Sequence, residues 1–185
     1  MTEQVETIYG PVCQTTYQCA KNIRLLICDV DGVFSDGRIY MGNAGEELKT
    51  FHTRDGYGIK SLMGAGVEIA IITGRKSAIV ENRMAALGIK HVYQGQDNKV
   101  AAYQDIVANL AIPAEQTAYI GDDLIDWPVM EKVGLSVCVA DGHPLLAQRA
   151  DLVTRIKGGY GAVREVCDLI LEAKGELDKH KGLSI

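Results

Sequence analysis

The chain has 185 residues, an apolar share of 47% and a formal net charge of −5, which suits about one globular domain with a full core. The acidic balance argues against nucleic acid or an anionic membrane as a partner, and no apolar run approaches the length of a membrane span. The five cysteines, at 13, 19, 28, 138 and 167, show no Cys-x-x-Cys spacing and no basic-then-apolar leader opens the chain, so a reduced, cytoplasmic protein without a zinc site is expected.

In chain order, residues 1–10 are polar and are expected to fray. Residues 12–21 are expected to form a lead-in helix with Cys13, Tyr17 and Ala20 on one face, so that residues 1–22 precede the main domain. Leu25, Leu26, Ile27, Cys28 and Val30 then make a short apolar run broken by Asp29 and Asp31, with Gly32 next. Such a run suits a central parallel strand covered on both faces. The i, i+2 spacing turns both carboxylates to one side of an extended backbone. Two like charges held that close must raise one pKa or recruit a cation.

A helix does not follow. Residues 37–51 place Ile39, Tyr40 and Met41 and then residues 46–51 on either side of Gly42-Asn43-Ala44-Gly45, which predicts a β-hairpin over the end of the first strand. Its Ile39, Tyr40, Met41 and Phe51 are more apolar than a free flap, so they pack locally or meet another subunit. A helix is expected from about Gly56 to Gly64 or Gly66, and a second buried strand over 67–73, ending in Gly74-Arg75. Ser77 could cap the next helix, with Ile79, Val80, Met84 and Leu87 as its stripe and Gly88 as its stop.

Residues 91–94 read as a third strand, Asn98-Lys99 opens a helix through Leu110, and 117–121 is a fourth strand ending at Asp122, Asp123 and Asp126. A helix to Val133, a strand over 135–139, a helix from Pro144, a strand over 152–154 and a helix over 161–174 complete the domain of residues 23–174. Residues 175–185 read as a flexible tail with an apolar end at Leu183 and Ile185. Strands alternating with helices predict a three-layer, parallel-sheet, Rossmann-like α/β sandwich with a hairpin inserted after strand one. No segment is left over to build a cap domain.

Four polar signals thus fall at strand ends: Asp29 with Asp31, Thr73, Lys99, and Asp122 with Asp123. In a parallel sheet those ends share one edge, where ligands bind. Each signal alone reads as readily as a solvated turn, a strand end or a helix start. Together they offer a carboxylate nucleophile, a hydroxyl, an ammonium and acids in excess, which suit a hard cation such as Mg²⁺ and a phosphate.

The order Asp-x-Asp-Gly, Thr-Gly after an apolar run, Lys, then Gly-Asp-Asp with a later Asp resembles the haloacid dehalogenase superfamily. The resemblance implies that Asp29 is a nucleophile accepting a phosphoryl group, that Asp31 is the acid and base, and that Thr73 and Lys99 hold the phosphoryl oxygens. It also implies Mg²⁺ on Asp29, Asp122 and the backbone carbonyl of Asp31, with Asp123 and Asp126 orienting that shell.

The hairpin, residues 52–58, 72–75, 121–130 and 158–165, and the tail are similar to the capless, homotetrameric sugar-acid phosphatases of that superfamily, which serve lipopolysaccharide synthesis. For those enzymes the substrate is a small sugar phosphate, and a neighbour's hairpin and tail complete the pocket. The likeness implies substrate contacts from Asp31, His52, Thr53, Arg54, Asp55, Gly56, Lys60, Arg75, Arg83 and Lys99. Lys60 and His52 depart from it, standing where Arg and Asn would be expected. Arg54 with Asp55-Gly56 favours an eight-carbon over a nine-carbon sugar acid. A phospho-accepting signalling domain is the alternative from another class, but it places its acceptor Asp on the third strand and has no second Asp two residues on.

Overall fold

The computed structural model describes residues 3–179. Among them, strands β3 (Leu25–Cys28), β6 (Glu68–Ile72), β7 (His91–Tyr93), β8 (Thr117–Gly121), β9 (Leu135–Cys138) and β10 (Leu152–Val153) form one parallel sheet in the order β10-β9-β8-β3-β6-β7. The expected run at 25–28 is the strand next to the centre, and its four side chains are wholly buried. Alternation divides them. Leu26 and Cys28 join Ile69, Ile71, Ala118 and Ile120 under α1 (Gln14–Asn22), α2 (Thr53–Gly64), α3 (Ala78–Leu87) and α7 (Ala162–Ala173). Leu25 and Ile27 join Ala70, Ile72 and Tyr119 under α4 (Lys99–Leu110), α5 (Trp127–Met130) and α6 (Pro144–Arg149).

This is the three-layer sandwich the alternation predicts. Each large aliphatic so buried contributes about 1.5–3 kcal/mol. A core of that size can hold carboxylates at its rim that would be unfavourable by themselves. Cys28, Cys138 and Cys167 are buried thiols and all five cysteines are free. No helix among the described residues is long and apolar enough to cross a membrane.

Between β3 and α2 stands the expected hairpin, β4 (Tyr40–Met41) paired antiparallel with β5 (Glu47–Leu48). Among the described residues no larger insertion follows β3. The apolar set on it divides: Phe51 packs against the core, whereas Ile39, Tyr40, Met41 and Leu48 are 40%, 44%, 74% and 65% exposed.

Several expectations are corrected. The described residues before Gly10 do not fray but form β1 (Gln4–Thr7), which pairs antiparallel with β2 (Gly10–Cys13). What holds them lies far away in sequence: the Tyr9 hydroxyl donates to Asp168 Oδ2 at 2.8 Å and the Ile8 amide to Glu172 at 3.3 Å. Helix α2 starts at Thr53 rather than near Gly56, because His52 Nδ1 accepts the Arg54 amide at 3.1 Å and caps it.

Ser77 occupies the cap position of α3, but its side chain makes no capping bond; its amide donates instead to Gln94 Oε1 at 2.8 Å. Gly88 does stop that helix, in the left-handed region at φ 82°. Helix α5 ends at Met130, short of Val133, where Lys132 bonds back three residues to Val129 and Gly134 is drawn to Thr117 and Ala114. At the C-terminus, Leu177 rests on the core, so the start of the expected tail is packed. Residues 180–185, with Leu183 and Ile185, lie outside the described residues.

Candidate active site

Sheet register sets the level of the site. Cys28 pairs with Ile71 on one side and Ile120 on the other. Asp29 is therefore one residue beyond the strand level, and Thr73 and Asp122 are two residues beyond theirs. The Asp29 amide still donates to the Ile120 carbonyl at 3.0 Å, so β3 and β8 part only after Asp29. Beyond Thr73, the Gln96 amide donates to its carbonyl at 3.0 Å. That bond draws in the loop that opens α4, and Asn98 caps the helix by accepting the Val100 amide at 3.1 Å. Lys99 thereby enters the rim at the first position of a helix.

The polar centre is built on Lys99, which is 4% exposed. Its Nζ lies 3.0 Å from Asp29 Oδ2 and 2.7 Å from Asp126 Oδ1. Asp126, with no exposure, accepts from Lys99 and from the Tyr119 hydroxyl on Oδ1, both at 2.7 Å. On Oδ2 it accepts the amides of Asp122 at 3.0 Å and Asp123 at 3.2 Å. One buried carboxylate thus fixes the ammonium and the loop that carries Asp122.

Carboxylate atoms of Asp29, Asp122 and Asp126 fall within 4.8 Å of one another. Four bonds occupy Asp126, so its place is to orient; Asp29, which takes one contact on each oxygen, from Lys99 and from the Val30 amide at 2.7 Å, and Asp122 are the two left to share a cation. Burial, and then the neighbouring Asp126, push the Asp29 carboxyl up to about 6. Burial, followed by Asp29 and Asp126, pushes Asp122 up to about 8. Burial acts to lower the Lys99 pKa, but the carboxylates of Asp29 and Asp126 outweigh it and hold the ammonium above its usual range. Three acids against one ammonium, all oxygen donors, fit a hard divalent cation.

Two glycines make room for this. Gly32 has φ 87°, where an L side chain is strained, and a Cβ on it would overlap the Asp122 carboxylate. A Cβ on Gly158 would overlap the Gly32 carbonyl, so the turn before α7 packs directly on the turn after β3.

The remaining candidates differ in exposure and in partners. Asp31 is partly exposed and its carboxylate pairs with Lys49 of the hairpin. Arg75, on the loop after β6, donates from Nη2 to Glu47 Oε2 at 3.1 Å. Thr53 and Arg54 are exposed at the start of α2, and His52, Lys60 and Arg83 are half-buried.

Asp55 and Gly56, in the same segment, are buried. Asp55 is 1% exposed, and its Oδ1 accepts the Arg164 amide of α7 at 2.8 Å. Burial pushes its carboxyl up to about 6. Arg83, whose Nε is buried without a hydrogen-bond partner, sits close enough to act against that rise.

Sequence reading did not single out Lys49 or Tyr119. For Lys49 a signal existed: if residues 46–51 are extended, Glu47 and Lys49 share one face and Leu48 takes the other. Tyr119 reads as one more apolar strand residue, and only its hydroxyl's contact reveals it.

Residues 91–163 match the family of haloacid dehalogenase-like hydrolases. The chain is 66% identical over 179 residues to 3-deoxy-D-manno-octulosonate 8-phosphate phosphatase KdsC of Escherichia coli K12, covering 97% of this chain and 95% of that protein. This chain belongs to the 3-deoxy-D-manno-octulosonate 8-phosphate phosphatase family. Another member, the crystal structure of the Yersinia pestis phosphatase, superposes with a TM-score of 0.98 at 62% identity over 100% of both chains. A third, from Moraxella catarrhalis, solved in complex with magnesium ion, phosphate ion and KDO, gives a TM-score of 0.87 at 44% identity, covering 89% of this chain and 94% of that one. The family's hydrolase chemistry and the parallel α/β architecture are thus those of this chain.

Proposed function

We propose that the chain is a Mg²⁺-dependent phosphomonoesterase that hydrolyses 3-deoxy-D-manno-octulosonate 8-phosphate to the free sugar acid and phosphate, in lipopolysaccharide biosynthesis. The single observation that carries this is the buried ammonium of Lys99, 3.0 Å from Asp29, beside a second carboxylate, Asp122, that a cation can share.

Asp29 attacks phosphorus, and the ester bond to the sugar oxygen breaks as the aspartyl phosphate forms. Asp31 gives its proton to the departing alkoxide, then as carboxylate takes one from the water that attacks the aspartyl phosphate. Phosphate leaves and Asp29 is restored. Lys99 and Thr73 hold the phosphoryl oxygens as charge shifts between them. Mg²⁺, held by Asp29, Asp122 and the backbone carbonyl of Asp31, supplies the positive charge that lets an anionic carboxylate approach an anionic phosphate. Asp126 and Asp123 keep Asp122 and Lys99 in place.

The substrate carries a carboxylate as well as a phosphate. His52, Thr53, Arg54, Lys60, Arg75 and Arg83 are the groups offered to it, and the cations among them provide local positive charge in an acidic protein. Asp55 and Gly56 belong to the same substrate-facing segment, and Asp55 also ties α2 to α7 through the Arg164 amide. The exposed Ile39, Tyr40, Met41 and Leu48 support assembly in which a neighbour's hairpin covers the site; four subunits and a cytoplasmic location follow from the family likeness alone.

The test is phosphate release from a panel of eight-carbon, nine-carbon and neutral sugar phosphates with Mg²⁺, together with light scattering for the assembly. Preference for the eight-carbon acid is expected; equal turnover of the nine-carbon ester would move the substrate assignment. A phosphorylated protein stable for minutes would replace hydrolysis with signalling.

A further inference from the structure

The hairpin carries more than apolar surface. Lys49, just past β5, has a side chain with no exposure, and its ammonium pairs with the Asp31 carboxylate. The same ammonium lies 3.4 Å from Glu47 Oε1, and Glu47 Oε2 accepts from Arg75 at 3.1 Å. A chain of alternating charge therefore runs from the turn after β3, across the hairpin, to the loop after β6.

We propose that Lys49 is a positioning residue: by holding Oδ1 of Asp31 it leaves Oδ2 as the atom that carries the proton to the leaving alcohol, while Glu47 and Arg75 hold Lys49 there. This rests on the reading of Asp31 as the proton donor. Asp31 lies on a turn next to a glycine of positive φ, and a carboxylate there rotates unless something holds it. A solvated lysine keeps its rotamers and its water; burying this one gives up both. A tether serving only to seat the hairpin could end on any acid nearby, and this one ends on the carboxylate that must be aimed. In a fold whose described residues include no cap, the hairpin supplies that aim from within the same chain.

The consequence depends on the leaving group. A sugar alkoxide needs the proton, whereas 4-nitrophenolate departs without it. For both esters kcat/KM reports the steps up to formation of the aspartyl phosphate. Lys49→Met keeps the stem and removes the ammonium. It should lower kcat/KM for the sugar phosphate about 10- to 100-fold, part of the roughly 10²–10⁴ that general acid catalysis supplies, and change that for 4-nitrophenyl phosphate less than about 3-fold.

Lys49→Arg should recover part of the loss. Glu47→Gln, which loosens Lys49 without removing it, should give a smaller loss with the same selectivity, and covers the case in which Lys49→Met does not fold. Equal losses on both esters, or none on either, would overturn the assignment. A wild-type protein that hydrolyses neither ester would overturn the phosphatase reading first, so the two failures are distinguishable.

Discussion

Asp126 holds the Lys99 ammonium at 2.7 Å and, with its other oxygen, the amides of Asp122 and Asp123 at 3.0 and 3.2 Å. Lys99 and Asp126, separated by helix α4 and strand β8, are thereby locked as one object. If the loop moved, the ammonium would lose its second partner, and if Lys99 moved, the loop would lose its anchor. The expected consequence of Asp126→Ala is a loss of about 3–5 kcal/mol, the usual cost of removing one partner from a buried ion pair. Urea denaturation measures it, and a loss under about 1 kcal/mol would mean that the pair is not coupled as described.

Asp29→Asn should behave differently. Lys99 keeps Asp126 as its partner, so the fold should be retained by circular dichroism and thermal melting. Phosphate release from the sugar phosphate should fall about 10³-fold or more, as when a nucleophile is removed. Comparable turnover in mutant and wild type would end the covalent mechanism.

Cation binding should be visible without turnover. Mg²⁺ at about 100 times its Kd raises stability by about 2.7 kcal/mol, so the melting temperature should rise on adding Mg²⁺ and fall back with chelator. Asp122→Asn should abolish most of that rise. Its persistence in the mutant would place the cation elsewhere.

Asp55 gives a prediction in pH. Its folded pKa is about 6, against 3.8 for the free carboxyl, so between those values the folded state binds more protons than the unfolded one. Stability from this group is therefore present at low pH and declines as pH rises from about 4 to about 6, then levels off. Two pKa units correspond to about 3 kcal/mol. Asp55→Asn removes the titration. Relative to wild type, the mutant should become more stable by up to about 3 kcal/mol on going from pH 4 to pH 7.5. Parallel stability curves for the two proteins would show that Asp55 is not perturbed.

Much of this was legible in the residues themselves. The run Leu25 to Cys28 could satisfy its side chains only as a covered strand, and repeating that pattern with helices between required a parallel sheet. A parallel sheet in turn puts Asp29, Thr73, Lys99 and Asp122 on one edge, because every strand ends there. Gly88 stopped its helix because a left-handed residue was needed. These are local or periodic properties, which a chain states in its order.

What the order of residues could not state were pairings that depend on which surfaces meet. The N-terminal hairpin is held by Asp168 and Glu172 on the last helix, partners to which no local pattern points. Asp55 belongs to a charged motif, yet its direction was decided by the Arg164 amide of α7, which claimed it for the interior. Lys49 reached Asp31 only because a short hairpin folded back over the strand that carries it. Hydrophobic periodicity fixes where the backbone goes; burial then decides, charge by charge, which polar group finds a partner, and that choice belongs to the tertiary structure.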